Sequence, residues 1–385
     1  MESLLPDHEG TEGLRGNGKP VLAILTIDDD IQLFRGNRSN FADLIQTGEQ
    51  RGFIVYVLTV KNLYLSRSRL KGYVFNANEE SWSQQLMPFP HIIYNRIPLR
   101  EDEMQKTVRD KIKACMKDPR VKLFNPYFFN KWHLMEWLKQ SKMTKPFIPA
   151  TRKLMTVNGL SRMMKKHPFL YLKPESGKAG KGIMTIKLQP EKQMPYLLKI
   201  QEDRKSATYT CGTIYKLWAR VQKESSGEAY IAQQGILLAS YNERKFDLRA
   251  LVQKNELGRW EVTGIGARLA GSASITTHVP RGGMIEDPEK LLSSSFSNEH
   301  ARKILIKAKQ ASLLIARQIE RGSGQLLGEM SMDLGIDIDG NLWFFEANSK
   351  PMKFDEPHIR KKSLERIFQY GTYLTKSKTE KAGGA

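Results

Sequence analysis

The chain is 385 residues long, enough for two or three domains with cores of their own, and 40% of it is hydrophobic, as in an ordinary globular protein. Lys and Arg number 61 against 41 Asp and Glu, a formal net charge of +20; this favours nucleotides, nucleic acids, acidic polymers or anionic surfaces as partners, although a solvated basic face explains the same excess. The two cysteines, Cys115 and Cys211, exclude a disulfide framework and stand at no metal-ligand spacing.

Residues 1–19 read as a flexible leader, with no basic segment leading into an apolar run and hence no secretory signal. VLAILTI (21–27) is a buried-type strand. The segment SNFADLIQTGEQRG places Phe41, Leu44 and Ile45 on one helical face, capped by Ser39 or Asn40 and closed by Gly52; FIVYVLTV (53–60) is again a β-branched strand. This strand–helix–strand unit predicts a small α/β domain over 20–120, with a further strand at HIIYNRI (91–97). EDEMQKTVRDKIKACMKD reads as one helix, acidic at its start and basic at its end.

A second domain is expected over 121–370. Asn130 caps a helix from Lys131 to about Gln140, and a short helix covers 160–166. Strands follow at LYLKP, EAYIAQQGI (228–236), KFDLRALVQ (245–253) and RWEVTGIGARLA (259–270), the last two joined by a hairpin turn at NELG. A long amphipathic helix covers about 299–319. The strands MSMDLGIDI and NLWFFEAN meet at Asp339-Gly340, expected to form a type I′ turn, with Asp337 a second turn-former. Residues 371–385 read as a flexible tail. No stretch approaches the roughly 20 apolar residues of a membrane-spanning helix. A reducing cytoplasm is therefore the expected compartment.

Two features carry chemistry. In LYLKPESGKAGKGIMTIK (170–187), Gly177, Gly180 and Gly182 follow one strand and precede another, with Lys173, Lys178 and Lys181 around them. The spacing fits neither the Walker A loop nor the dinucleotide-binding fingerprint. A glycine flap between antiparallel strands still lets backbone N–H groups approach phosphates, with lysine supplying charge; a solvated lysine-rich hairpin is the plain alternative. In MDLGIDIDGNLWFFEANSKP, Asp333 lies on one strand, and Glu346 and Asn348 lie two apart on its hairpin partner, sharing a face. Their hard oxygens suit Mg²⁺ held between protein and phosphates. Two anions on one sheet face repel unless a cation separates them. Lys350 reads as local charge balance.

The order of these elements resembles the ATP-grasp fold: NKWHLMEWL, YLKPESGKAGKG, YIAQQGI, FDLRALV, then MDLGID with FFEANSKP. YNRI, FNPYFFNKW, KPESGKAGKGI, FDLRALVQ and EANSKP are more closely similar to the YheC/YheD family, described as spore-coat associated in Bacillus-type bacteria. The resemblance implies an α/β (α+β) chain, an ATP-grasp domain preceded by a smaller α/β domain. It implies that Lys131 and Lys173 reach ATP phosphates and that Gly177, Lys178, Gly180, Lys181 and Gly182 form the flap. Gln233 and Gln234 would lie on the adenine hinge, Arg249 at the transferred phosphate, and Asp333, Glu346 and Asn348 on Mg²⁺ or Mn²⁺. The hinge QQGI lacks the acidic residue that often meets the ribose. Without the family, Lys131 reads as a surface lysine, and a salt bridge from Arg249 to Asp247 on its own strand face is the plain alternative. His278 and Arg281, in the loop TTHVPRGGM, are candidate substrate contacts or plain surface.

The implied reaction is ATP-dependent joining of a carboxylate to an amine through an acylphosphate, with amino acids or peptides as candidate substrates and spore-coat components as candidate partners. Two other readings stay open: phosphotransfer to a hydroxyl on the same scaffold, and a coat-associated binding or structural protein that retains an ATP site. No recognition-helix or aromatic-stacking signature points to nucleic acid.

Overall fold

The computed structural model describes residues 18–176, 182–202, 205–271 and 283–382. The chain divides into two compact units: one reaches up to Leu123 and takes in the chain from Gly371, and the other is Phe124–Tyr370.

The first unit holds β1 (Val21–Thr26), a ribbon of β2 (Asp28–Asp29) and β3 (Leu33–Phe34), α1 (Arg38–Gln50), β4 (Ile54–Thr59), β5 (Arg69–Asn76), β6 (Ser81–Pro88), β7 (Ile92–Asn95), α2 (Arg100–Met104), α3 (Lys106–Lys117) and β8 (Lys122–Phe124). Its main sheet runs β6-β5-β4-β1-β7-β8, with β1 parallel to both β4 and β7. Every residue of β1 is buried, as its unbroken apolar run requires of a central parallel strand. Asn37, not Ser39 or Asn40, caps α1: its backbone is still extended and its side chain accepts from the Asn40 N–H. The single helix expected after Arg100 is two, broken at Gln105 with no Gly or Pro to mark the break. The antiparallel pair β5–β6 was not legible, because most of its residues are only partly buried and alternate weakly.

The second unit begins with α4 (Lys131–Lys139), β9 (Thr151–Lys153), α5 (Val157–Lys166), β10 (Phe169–Pro174), β11 (Met184–Leu188), β12 (Tyr196–Glu202), β13 (Lys205–Cys211), α6 (Ile214–Ser225) and β14 (Tyr230–Gln234). These strands form an antiparallel sheet of order β13-β12-β11-β10-β14-β9. Leu160 and Met163 of α5 and Leu217 and Val221 of α6 share its apolar core with Leu170, Leu172, Ile186 and Leu198.

A second sheet follows from β15 (Ser240–Tyr241), β16 (Arg244–Lys254), β17 (Trp260–Leu269), β18 (Met284–Glu286), α7 (Pro288–Ser295), α8 (Asn298–Ser323), β19 (Glu329–Ile336), β20 (Leu342–Asn348) and α9 (Pro357–Ala382). Its order is β18-β17-β16-β19-β20, with β15 on β16. One face carries Phe246, Leu248, Ala250, Met330, Met332, Leu334 and Phe344, packed in one core with Ile304, Ala308, Ala311 and Ile315 of α8. By the period of two, the opposite face carries Asp247, Arg249 and Asp333.

Two hairpins of this sheet, β16–β17 and β19–β20, turn through three-residue loops. Asp337 and Asn255 stand at equivalent places. Each accepts backbone N–H groups two and four residues on, and the glycine three residues on (Gly340, Gly258) has φ near +80° and +69° respectively. Asp339 does not have positive φ, so the turn is not type I′; it is the longer form in which glycine alone adopts the left-handed conformation. Of the tail expected over 371–385, residues 371–382 lie inside α9, because Ile367, Tyr370 and Leu374 continue a buried helical stripe across its start; 383–385 lie outside the described residues.

Candidate active site

Three strands build a charged row. Arg249 of β16 faces Asp333 of β19, and Asp333 faces Glu346 of β20; Asn348 lies two pairs further along, opposite Ser331. Counting back from the 337–341 loop without interruption pairs Glu346 with Met332, on the apolar face. A bulge at Asp333/Leu334 gives β20 one extra residue, Phe345, and this brings Glu346 level with Asp333. Phe345 covers Gly335, where a Cβ would come within 2.3 Å of its ring.

Arg268 of β17 joins the row and was missed in the sequence. Its Nε and Nη2 donate to the two oxygens of Asp247 at 2.9 and 2.8 Å, and Nη2 also lies 2.8 Å from Asp333 Oδ2. All three side chains are buried. Burial opposes the charge on Arg268, but Asp247 and Asp333 outweigh it and hold its pKa well above the ordinary value. The signal was in the sequence but displaced by a second bulge, at Leu251/Val252, which inserts Thr263 into β17. Uninterrupted counting from NELG puts Arg268 opposite Phe246, facing the core.

This pairing settles the question of Asp247: its partner is Arg268, not Arg249. Arg249 stacks on the Phe354 ring at 4.8 Å, and its Nε is buried without a hydrogen-bond partner. Burial holds its pKa below the ordinary arginine value. Asp333 Oδ1 and Ser331 Oγ are likewise buried without partners. Most buried polar atoms are hydrogen-bonded, so three orphans on adjoining positions mark a face shaped for a ligand.

The other sheet supplies lysines. Asn130 caps α4 and its side chain accepts from the His133 N–H, which sets Lys131 at the helix start. Lys131 Nζ donates to Glu346 Oε2 at 2.7 Å, both side chains mostly buried. Lys173 Nζ donates to Gln233 Oε1 at 2.7 Å and lies over the Phe345 ring. Burial brings its pKa down to about 8; Glu346 works against that shift and Lys131 with it. The expected repulsion between Asp333 and Glu346 is thus met by the protein's own cations, Arg268 on one carboxylate and Lys131 on the other.

The Gln233 side chain also donates to Thr151 Oγ1. The Gln234 N–H is taken by the Ala150 carbonyl, so that donor is not offered to a base. Gly182 has φ +71° and its carbonyl accepts from the Tyr230 hydroxyl, which ties the end of the glycine loop to β14. Gly177, Lys178, Gly180, Lys181, His278 and Arg281 lie outside the described residues. Lys350 lies over the Phe128 ring.

Among the described residues no three His, Cys, Asp or Glu side chains form a metal-binding group. Two carboxylates and an amide suit Mg²⁺ that completes its shell with substrate phosphates and water. The unpartnered, buried Asp333 Oδ1 fits such an ion.

The closest-fitting class for these two sheets and the row between them is the ATP-grasp fold. VanG D-Ala:D-Ser ligase from Enterococcus faecalis superposes with a TM-score of 0.52 at 11% identity, covering 92% of this chain and 99% of that one. The ATP-grasp ligase PsnB, solved with a minimal precursor, gives 0.51 at 14% identity over 91% and 99%. The YheC/D-like ATP-grasp family model matches residues 120–374, and the chain belongs to that family. Endospore coat-associated protein YheD of Bacillus subtilis (strain 168) is 27% identical over 368 residues, 92% of this chain and 79% of YheD.

Proposed function

We propose that the chain is an ATP- and Mg²⁺-dependent ligase that joins a carboxylate to an amine, acting in a spore-coat context. The observation that carries this reading is the Arg249–Asp333–Glu346 row, in which Arg249 Nε and Asp333 Oδ1 are buried with no hydrogen-bond partner. The names of the fold neighbours, both ligases, support the reaction class. The name of YheD supports the context.

Asp333, Glu346 and Asn348 would hold the metal, which supplies charge neutralisation on the ATP phosphates. Lys131 and Lys173 bind the phosphates electrostatically, Lys131 giving up Glu346 to do so. Arg249 orients the substrate carboxylate and the γ-phosphoryl group for in-line attack. The carboxylate oxygen bonds to the γ-phosphorus as the bond to the β-phosphate oxygen breaks, giving ADP and an acylphosphate. The amine nitrogen then attacks the acyl carbon, the C–O bond to phosphate breaks, and the amine loses a proton.

The test is release of ADP and phosphate on incubation with Mg-ATP and panels of amino acids and short peptides, with products weighed by mass spectrometry. An amide with free phosphate supports the ligase. A stable phosphorylated product instead identifies a hydroxyl acceptor. Glu346→Gln is expected to remove turnover while the circular dichroism spectrum is kept; full activity in it refutes the metal assignment.

A further inference from the structure

We infer that Arg268 is a positioning residue: clamped bidentately by Asp247, it holds one oxygen of Asp333 so that the other is presented to the metal. The inference rests on the reading of the site given above. One guanidinium serves two carboxylates, at 2.9, 2.8 and 2.8 Å. Asp247 sits 4% exposed, Arg268 5% and Asp333 3%, so each can take up few other arrangements.

An ion pair serving stability alone would satisfy every buried oxygen, because an unpaired buried acceptor is destabilising. Here both oxygens of Asp247 are engaged and Asp333 Oδ2 is engaged, while Asp333 Oδ1 is left buried and bare. The bare oxygen lies on the residue facing Arg249 on one side and Glu346 on the other. The planar fork of arginine fixes a carboxylate in orientation as well as in charge, which lysine cannot do.

The two proposed metal carboxylates therefore differ in how they are held. Glu346 accepts from Lys131, an ammonium on a flexible stem at the start of a helix. Asp333 is held by a guanidinium that is itself held at two points. An ammonium fixes a carboxylate's charge more than its orientation, whereas the clamped guanidinium fixes both for Asp333. Groups that orient a ligand in this way commonly change metal affinity about 10–100-fold when removed.

Charge and orientation predict opposite signs, so they separate cleanly. Removing Arg268 alone makes the site more negative, which on electrostatics alone tightens a cation. The charge-balanced double variant Asp247→Asn with Arg268→Gln removes one charge of each sign and leaves Asp333 unclamped. The experiment measures Mn²⁺ binding to the full chain in saturating ADP, by the electron paramagnetic resonance signal of free Mn²⁺, and ADP binding without metal by calorimetry.

The double variant is expected to bind Mn²⁺ at least tenfold more weakly than the parent, with metal-free ADP affinity within twofold. Arg268→Lys, which keeps the charge and the fold, is expected to fall between. Mn²⁺ affinity within twofold of the parent, or tighter, in a folded double variant overturns the inference. If the double variant fails to fold, parental Mn²⁺ affinity in Arg268→Lys overturns it equally. A parent chain that binds no ADP, or ADP but no Mn²⁺, overturns the proposed function itself, a result distinct from parental affinity in the variants.

Discussion

The two faces of the β16–β20 sheet are made by the same strands and follow different rules. The face under α8 is filled by Phe246, Leu248, Ala250, Met332 and Leu334, where any side chain of similar size and polarity serves. The opposite face carries Asp247, Arg249, Arg268, Asp333 and Glu346, where ion pairs join specific groups and Arg249 Nε and Asp333 Oδ1 are left without a hydrogen bond. The apolar face holds the sheet together, and the polar face spends stability on buried charges and orphaned atoms. Strain and unsatisfied groups of that kind concentrate where a protein acts.

That contrast is broken most strongly from the apolar side. Phe246→Ala is expected to lose about 3–5 kcal/mol of stability by cavity formation, read from urea denaturation, without altering which groups line the opposite face. Arg249→Met, on the neighbouring face, should do the reverse. Its stability stays within about 1 kcal/mol of the parent, because a buried, poorly paired charge is removed. ATP-dependent turnover falls roughly 10²–10³-fold, the usual loss for one preorganised electrostatic group. If Arg249→Met unfolds the protein, the division between the faces is wrong.

Lys173 sharpens the comparison through pH. The unfolded chain keeps its proton up to the ordinary 10.5, whereas the folded chain releases it near 8. Between these values the unfolded state binds more protons, so this residue makes stability rise with pH there, while below about 8 its burial penalty is fully present. Nucleotide binding runs the other way. Metal-free ADP affinity should weaken as pH rises through about 8, by about tenfold for a single lysine–phosphate contact worth about 1.4 kcal/mol, and Lys173→Arg should flatten that profile. A calorimetric titration series from pH 7 to about 9.5 reads it.

A smaller effect belongs to the turn. Burial pushes the Asp337 carboxyl up, but hydrogen bonds from Trp343, Asn341 and Asp339 outweigh it and set the pKa below 3.8. Its stabilisation is present above that value and lost as pH falls through the lowered one. Asp337→Asn is expected to cost about 1 kcal/mol in thermal denaturation. Smallest of all, Lys303→Ala breaks only the exposed pair with Glu299 on α8 and should change stability by about 0–0.5 kcal/mol.

Much of this was legible in the sequence. The apolar period placed β1, β4, β14, β16, β19 and β20 within a residue or two, and Asn130 marked the start of α4. Glu346 and Asn348 stay in step along β20, as their spacing of two required, but it takes the bulge at Asp333/Leu334 to bring them level with Asp333. Partnership was less legible. A pair between Asp247 and Arg249, two apart, stood as an alternative, and Arg268 was not singled out: unbroken counting from NELG turns it into the core. Gln233 was placed on the hinge strand, and its side chain's contact with Lys173 was not foreseen.

The sequence by itself determined the elements, the two faces of each strand and the residue types able to meet phosphate and metal, because those follow from local period and chemistry. The tertiary structure decided the register. One extra residue at Thr263 and one at Phe345 each shift a strand by a single step, and a single step moves a side chain from core to site. Those two bulges bring Arg268 to Asp333 and Glu346 to Lys131, across separations that no local pattern encodes.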